Sequence, residues 1–191
     1  GRPVLNSVTG EDAKLSVILP LAKKYGAVVV GLTMDEAGLP DTAERRLEIA
    51  RKIVERAEAF GLRRRDVVID CLSLPVAVYP DQAAETLKAV ALVKRELGVR
   101  TMLGISNISF GMPNRERINA AFLTMAIAAG LDLPILNPES GQVTDALDAA
   151  LLLCGAEQGM LRFLRRKNPD ALLARVVFGR SGHRARKWEP G

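Results

Sequence analysis

The sequence has few of the residues that enzymes use for nucleophilic or metal chemistry. It contains one histidine and two cysteines in 191 residues, and Cys71 and Cys154 stand too far apart to form a CxxC pair. The sequence has no cluster of cysteine and histidine ligands either, which argues against a protein-bound metal. Isolated cysteines are typical of a reducing compartment, so we expect a cytoplasmic protein without a bound metal.

Aromatic residues and long apolar runs are also scarce. Aromatics make up 4% of the chain, and no run approaches the roughly 20 uncharged apolar residues that a membrane span needs. The 48% of hydrophobic residues are mostly aliphatic, which favours helices packed on buried parallel strands over a β-sandwich. We therefore expect one α/β domain with no membrane partner.

Positive charge is concentrated at the end of the chain. Residues 156–191 contain nine lysines and arginines against three acidic residues, a net charge of +6, whereas residues 1–155 sum to −1. The pI near 9.5 therefore reflects the basic residues of 156–191, because the rest of the chain is nearly neutral. We expect a folded domain over 1–155 and a basic C-terminal tail over 156–191, in part helical or disordered. We favour a solvated tail over a nucleic-acid-binding segment, which remains the alternative.

Short β-rich runs alternate with amphipathic segments along residues 1–155. The strand candidates begin 24, 39, 34 and 33 residues apart, the spacing of repeated βα units. They are Pro3–Ser7, Ala27–Thr33, Asp66–Leu72, Arg100–Ser106 and Leu133–Asn137. Apolar residues at helical spacing predict helices over Asp12–Tyr25, Thr42–Phe60, Asp81–Leu97, Arg115–Ala129 and Thr144–Leu153.

Five βα units with right-handed crossovers allow two α/β folds: an open doubly wound sheet, or part of a barrel. A complete barrel of eight units needs about 250 residues. We therefore expect a TIM-type (β/α)8 barrel of which this chain holds about the last five units, the first three strands being missing.

Polar residues follow the strand candidates, where parallel α/β folds bind their ligands. Amides and a carboxylate can hydrogen-bond a neutral heterocycle with alternating donors and acceptors, such as a pterin. Histidine, lysine and cysteine, the reagents of acyl transfer and Schiff-base chemistry, do not occupy these positions. The polar set is Asn6, Ser7, Thr33, Asp35, Asp70, Ser106, Asn107 and Asn137.

Four motifs resemble one family in the same order along residues 3–153. The run LGISNISF at Leu103–Phe110, continued by GMPNRERINAAFLTMAIAAGLDLPILNP, is the most specific. LNSVTGE at Leu5–Glu11, KKYGAVVVGLTMDEAGLPDTAERR at Lys23–Arg46 and VVIDCLSLPV at Val67–Val76 accompany it. Together they resemble the methyltetrahydrofolate-binding barrel of cobalamin-dependent methionine synthase and of the methyltetrahydrofolate:corrinoid/iron–sulfur protein methyltransferase.

The resemblance implies a pterin site. Asn6 and Asp70 match the family's Asn and Asp that hydrogen-bond the pterin ring, and Asn107 matches the Asn that approaches the methyl-bearing N5. Asn107 is thus the predicted catalytic residue, and Gly104 and Ser106, in the same run, join the predicted pterin-binding set. The sequence departs from the family where Cys71, not proline, follows Asp70, which should alter the local turn.

By the same resemblance, the expected reaction is transfer of the N5-methyl group of 5-methyltetrahydrofolate to cob(I)alamin. The cobalamin or other corrinoid would come from a partner domain or protein, and a homodimer is one expected assembly. The final acceptor stays open between homocysteine and a corrinoid protein. Two alternatives remain: a pterin-condensing enzyme like dihydropteroate synthase, and a folate-binding scaffold without catalysis.

Overall fold

A computed structural model of the chain describes residues 1–155. Five strands and five α-helices alternate within these residues. They are β1 (Val4–Thr9), α1 (Asp12–Tyr25), β2 (Val28–Leu32), α2 (Ala43–Ala59), β3 (Val67–Asp70), α3 (Gln82–Leu97), β4 (Arg100–Gly104), α4 (Arg115–Ala128), β5 (Leu133–Ile135) and α5 (Gly141–Leu153). Each predicted strand and helix is present. Two short 3-10 turns, Arg64–Asp66 and Ile105–Ser109, precede β3 and follow β4.

The five strands form one parallel sheet in the order in which they occur along the chain. A doubly wound sheet reverses its strand order once, and no reversal occurs among these strands. When successive parallel strands are neighbours, right-handed crossovers carry every connecting helix to the same face. The sheet is therefore singly wound, the arrangement from which (β/α)8 barrels are built.

One face of the sheet packs against the helices and forms the core. Val29, Ile69 and Leu103 on this face are fully buried. The contact between β2 and α2 is especially close, because a Cβ atom added to Gly31 would lie 2.7 Å from Cγ2 of Ile53. A glycine at this point lets the helix approach the strand.

The other face of the sheet is partly open. Val4, Leu133 and Ile135 are 57%, 38% and 51% exposed. Strand β1 contains a bulge, because Asn6 pairs with Val30 while the next paired residues are Val8 and Gly31. The bulge turns Val8 toward the buried face and leaves Asn6 on the open one.

The sheet lies in a compact unit, Gly1–Leu147. Within residues 1–155, none of the helices combines the length and apolar character that crossing a membrane would require. The predicted basic tail, 156–191, lies outside the described residues.

Candidate functional site

The predicted site residues on the strands share the open face of the sheet. Asp70 ends β3 and pairs with Leu32 of β2. Asn6 of β1 pairs with Val30, which comes two residues before Leu32 on β2. Asp70 also pairs with Met102, two residues before Gly104. Because side chains alternate between faces along a strand, Asn6, Asp70 and Gly104 lie on one face.

Their separations follow from the spacing of the strands, which is about 4.8 Å between neighbours. Strands β3 and β4 are adjacent, so Asp70 and Gly104 end neighbouring strands at the carboxyl edge. Asn6 lies two strands from Asp70 and two residues deeper, about 7 Å along the strand axis. The prediction that β1 ends at Ser7 was wrong, since the strand continues to Thr9.

Asp70 is held from two directions. Its main-chain carbonyl accepts hydrogen bonds from the N–H and the Oγ1 of Thr33, each at 3.1 Å. Its carboxylate Oδ1 accepts the N–H of Leu72 at 2.9 Å, while Oδ2 accepts no hydrogen bond from residues 1–155. Burial raises the pKa of Asp70, and the hydrogen bond from Leu72 opposes that rise. One carboxylate oxygen is thus fixed in place, while the other has no hydrogen-bond partner among residues 1–155.

Cys71, which replaces the family's proline, takes part in the main-chain pairing of this region. Its N–H donates to the carbonyl of Met102 at 3.4 Å, a bond that proline could not form. The thiol is fully buried, and burial raises its pKa above the ordinary cysteine range. Cys71 is therefore a buried structural thiol and not a nucleophile.

Asn107 lies in the 3-10 turn Ile105–Ser109, which we call the SNIS turn. The side chain is exposed and its amide lies over the end of β4, because a Cβ atom on Gly104 would be 2.9 Å from the Nδ2 of Asn107. Any larger residue at Gly104 would displace the amide. The predicted roles of these two residues are therefore coupled: the glycine leaves room for the asparagine.

Arg115, the first residue of α4, fastens the SNIS turn and was not predicted as a site residue. Its Nη2 donates to the carbonyl of Ser106 at 2.9 Å, and its Nε donates to the Oγ of Ser109 at 3.0 Å. The guanidinium also lies 4.5 Å from the ring centre of Phe110. The spacing of Arg115, eight residues after Asn107 within the PNR run, was the only signal in the sequence.

A cavity of about 380 Å³ lies beside the SNIS turn. Its walls come from the SNIS turn, the start of α4 and the segment between β5 and α5, and include Ser106, Arg115, Asn119 and Asn137. Asn119 is 8% exposed, and its Oδ1 has no partner among residues 1–155. The cavity therefore offers polar groups at the same edge as Asn107.

Three other strand-end residues of the predicted polar set serve local structure. Thr33 is fully buried against Asp70. Asp35 forms an ion pair with Arg45 at 2.6 Å and accepts the N–H of Ala37 at 3.1 Å. Asn137 borders the cavity, but its Oδ1 accepts the N–H of Glu139 at 3.0 Å. These side chains cap and tie the turns in which they lie.

The chemistry of the site is that of hydrogen bonding. In residues 1–155, no three histidine, cysteine, aspartate or glutamate side chains come together as a metal site would require. The candidate groups are one partly buried carboxylate, exposed amides and main-chain polar atoms. Such a set can orient a neutral ring and stabilise charge that develops on it.

Comparisons with known proteins agree with this chemistry. Residues 1–137 match the family described as pterin binding enzyme. A methionine synthase of Mycobacterium leprae is 36% identical over 150 residues, which cover 72% of this chain and 12% of the relative. A methylcorrinoid:tetrahydrofolate methyltransferase of Eubacterium limosum is 31% identical over 159 residues, which cover 81% of this chain and 58% of the relative. A methionine synthase of Mycobacterium tuberculosis is 35% identical over 72% of this chain and 13% of its own length. The matched part of the chain thus spans less than two thirds of each relative.

Proposed function

The chain belongs to the pterin binding enzyme family, and from that premise we propose that it binds 5-methyltetrahydrofolate and serves methyl transfer between folate N5 and a corrinoid. The observation that carries the proposal is the arrangement of the Asp70 carboxylate. Its carboxylate is fixed through Oδ1, has Oδ2 free of partners within residues 1–155, and shares a face with the strand end beneath Asn107. The names of the relatives describe a methionine synthase and a methylcorrinoid:tetrahydrofolate methyltransferase.

The fold proposed for this function is a (β/α)8 barrel to which residues 1–155 contribute five βα units. The sequential order of the parallel strands supports it, because only a singly wound sheet can curl into a barrel with all helices outside. The open face of the sheet, with Asn6, Asp70 and Gly104, would then line the barrel interior at its carboxyl end, where such barrels bind substrates.

In the proposed complex, the ionised Asp70 accepts the two adjacent N–H groups of the 2-amino-4-oxopyrimidine edge of the pterin. Asn6, deeper on the same face, can supply one amide donor and one acceptor to the ring. Gly104 and Ser106 let the ring approach the main chain at the end of β4. These contacts bind and orient the folate, and none of them needs a change of protonation during the reaction.

Asn107 acts at the reacting atom. When the bond between N5 and the methyl carbon breaks, the electron pair stays on N5, and N5 takes up a proton from solvent water as tetrahydrofolate leaves. The amide of Asn107 donates a hydrogen bond to N5 that strengthens as negative charge develops, which lowers the barrier. A corrinoid held by another domain or protein would supply the nucleophile for the methyl group.

The test is to measure tetrahydrofolate binding by calorimetry and single-turnover methyl transfer from 5-methyltetrahydrofolate to cob(I)alamin, in the complete protein. Asp70→Asn should weaken binding by about ten- to a hundredfold, because it removes a charged acceptor from two donors. Asp81→Asn is a matched control, since Asp81 is exposed and precedes α3 as its N-cap residue without a side-chain capping bond.

Three results would separate the proposal from its alternatives. Failure of the wild-type protein to bind tetrahydrofolate would reject the pterin site. Binding without methyl transfer would leave a folate-binding scaffold. Condensation of a pterin pyrophosphate with p-aminobenzoate would instead identify a dihydropteroate synthase-like enzyme.

A further inference from the structure

The most unusual buried side chain in the described residues is Arg46 of α2. It is fully buried, and no carboxylate of residues 1–155 forms an ion pair with it. Its Nε has no hydrogen-bond partner there, and burial lowers the pKa of the guanidinium. The carboxylates of Glu85 and Asp41 are near enough to favour the charged guanidinium, but neither contacts it directly, and burying a charge without a direct ion pair is costly.

The contacts of Arg46 lead to the loop that follows Asp70. Nη1 of Arg46 donates to Thr86 Oγ1 at 2.8 Å and lies 3.5 Å from the carbonyl oxygen of Leu72. Nη2 donates to Gln82 Oε1 at 2.5 Å. Thr86 Oγ1 in turn lies 2.8 Å from the same Leu72 carbonyl. Two side chains from α2 and α3 therefore converge on one main-chain oxygen.

Leu72 is the link between this cluster and the site. Its φ is 63°, a left-handed conformation that a leucine adopts only when its surroundings impose it. In this conformation its N–H donates to Asp70 Oδ1 at 2.9 Å. The carbonyl of Leu72 thus contacts Arg46 and Thr86, while its N–H donates to the carboxylate of Asp70.

We propose that Arg46 and Thr86 are positioning residues for Asp70, acting through the main chain of Leu72. Arg46 contacts Leu72 and not Asp70, so it acts by holding the peptide in the conformation that directs the Leu72 N–H at the carboxylate. This inference rests on the proposed pterin site and extends it by a layer of residues that do not touch the ligand.

The proposal predicts an effect that depends on Asp70. Arg46→Met removes the donors while keeping an unbranched side chain, and Thr86→Val removes the hydroxyl while keeping the shape. Each should weaken tetrahydrofolate binding by about tenfold in the otherwise unchanged protein. In an Asp70→Asn background the same changes should alter binding by less than about twofold, because groups that act through one another are not additive.

Two variants separate positioning from general support of the fold. Thr86→Ser retains the hydroxyl and should keep affinity near that of the unchanged protein, even if it lowers the melting temperature. Arg56→Met removes an arginine from the same helix at a position that contacts Ser16 and Phe60, and should leave affinity unchanged. Thr86→Val also keeps the test available should Arg46→Met fail to fold.

Calorimetry with tetrahydrofolate as the probe decides between the outcomes. Equal losses in the unchanged protein and in the Asp70→Asn background, or no loss in either, would overturn the positioning role while leaving the pterin site intact. Absence of binding by the wild-type protein would overturn the proposed function and this inference with it.

Discussion

At the scale of single residues, the role proposed for Asp70 combines two requirements that conflict. A carboxylate must be ionised to accept two ring N–H groups, yet burial raises the pKa of Asp70 and the Leu72 N–H only partly offsets the rise. Protonation would remove the acceptor. We therefore expect tetrahydrofolate affinity to fall on acidification, beginning above the ordinary aspartate pKa of about 3.9.

Calorimetric titrations from pH 4 to pH 8 would measure this loss. Arg46 stays charged and Cys71 stays protonated across that range, so neither adds a transition. Asp70→Asn should bind weakly throughout and lack this component. Protonation of the folate itself affects both proteins equally. A difference in shape between the two curves therefore reports the titration of Asp70. Parallel curves would exclude Asp70 as the titrating group.

Asn107 is expected to affect rate more than affinity. Asn107→Ala should slow single-turnover methyl transfer by about one to two orders of magnitude, the effect of removing one aligned donor. Binding of tetrahydrofolate should change less, because the amide contact to N5 gains strength only as charge develops. Wild-type rates in this variant would remove the catalytic role and leave only a binding pocket.

Gly104 offers an independent check on the same amide. A methyl group at this position would lie 2.9 Å from Nδ2 of Asn107, so Gly104→Ala should reproduce much of the rate defect while leaving Asn107 in place. Combining both changes should add little beyond Asn107→Ala alone.

At the scale of elements, the sequence predicted helices better than strand ends. Helix α1 occupies its predicted range Asp12–Tyr25 and is followed by Gly26 in a left-handed conformation, a local stop that the sequence displays. The end of β4 is different. It was predicted at Ser106, but the strand stops at Gly104 and a 3-10 turn begins.

The reason for the difference is the range of the interactions. The SNIS turn is fastened by Arg115, and no periodicity in the sequence shows such a contact. The bulge between Asn6 and Val8 is likewise set by pairing with β2. Asp70 and Asn107 were predicted as site residues because their motifs resemble a family. Arg46 was missed because its partners are 26 to 40 residues away in the sequence.

The packing of α2 on the sheet depends on a single glycine. Gly31→Ala would place a methyl group 2.7 Å from Ile53 Cγ2 and 3.1 Å from Ile69 Cδ1. Neither atom can move freely in the core, so the free energy of unfolding should fall by about 1–3 kcal/mol. Denaturant unfolding would measure the loss.

The control is Gly141→Ala, because a Cβ atom there has no neighbour within 4 Å and should leave stability unchanged or slightly higher. Removing Ile53 Cγ2 should relieve the clash. Gly31→Ala combined with Ile53→Ala is therefore expected to cost less than the two single losses together. If the losses of the two single variants simply added, α2 would have shifted to avoid the contact between residue 31 and Ile53.

At the scale of the whole molecule, the two faces of the sheet differ in how they are covered. The helices cover one face, while the other carries Asn6 and Asp70 together with the exposed apolar residues Val4, Leu133 and Ile135. Within residues 1–155, β1 and β5 each pair with one neighbour. An open edge beside an apolar face favours association with another strand or another chain.

We therefore expect the 191-residue chain by itself to associate at micromolar concentrations, as sedimentation velocity would show. Ile135→Lys places a charge on the open face beside the β5 edge and should shift the distribution toward monomer. Met125→Lys serves as the control, because Met125 is similarly exposed, at 55% against 51%, but lies on α4 in an apolar groove between α3 and α4. If Met125→Lys dissociated the assembly and Ile135→Lys did not, the helical groove would be the contact surface. A monomer with a sharp cooperative thermal transition would contradict the expectation altogether, since it would require the open face to be stable in water.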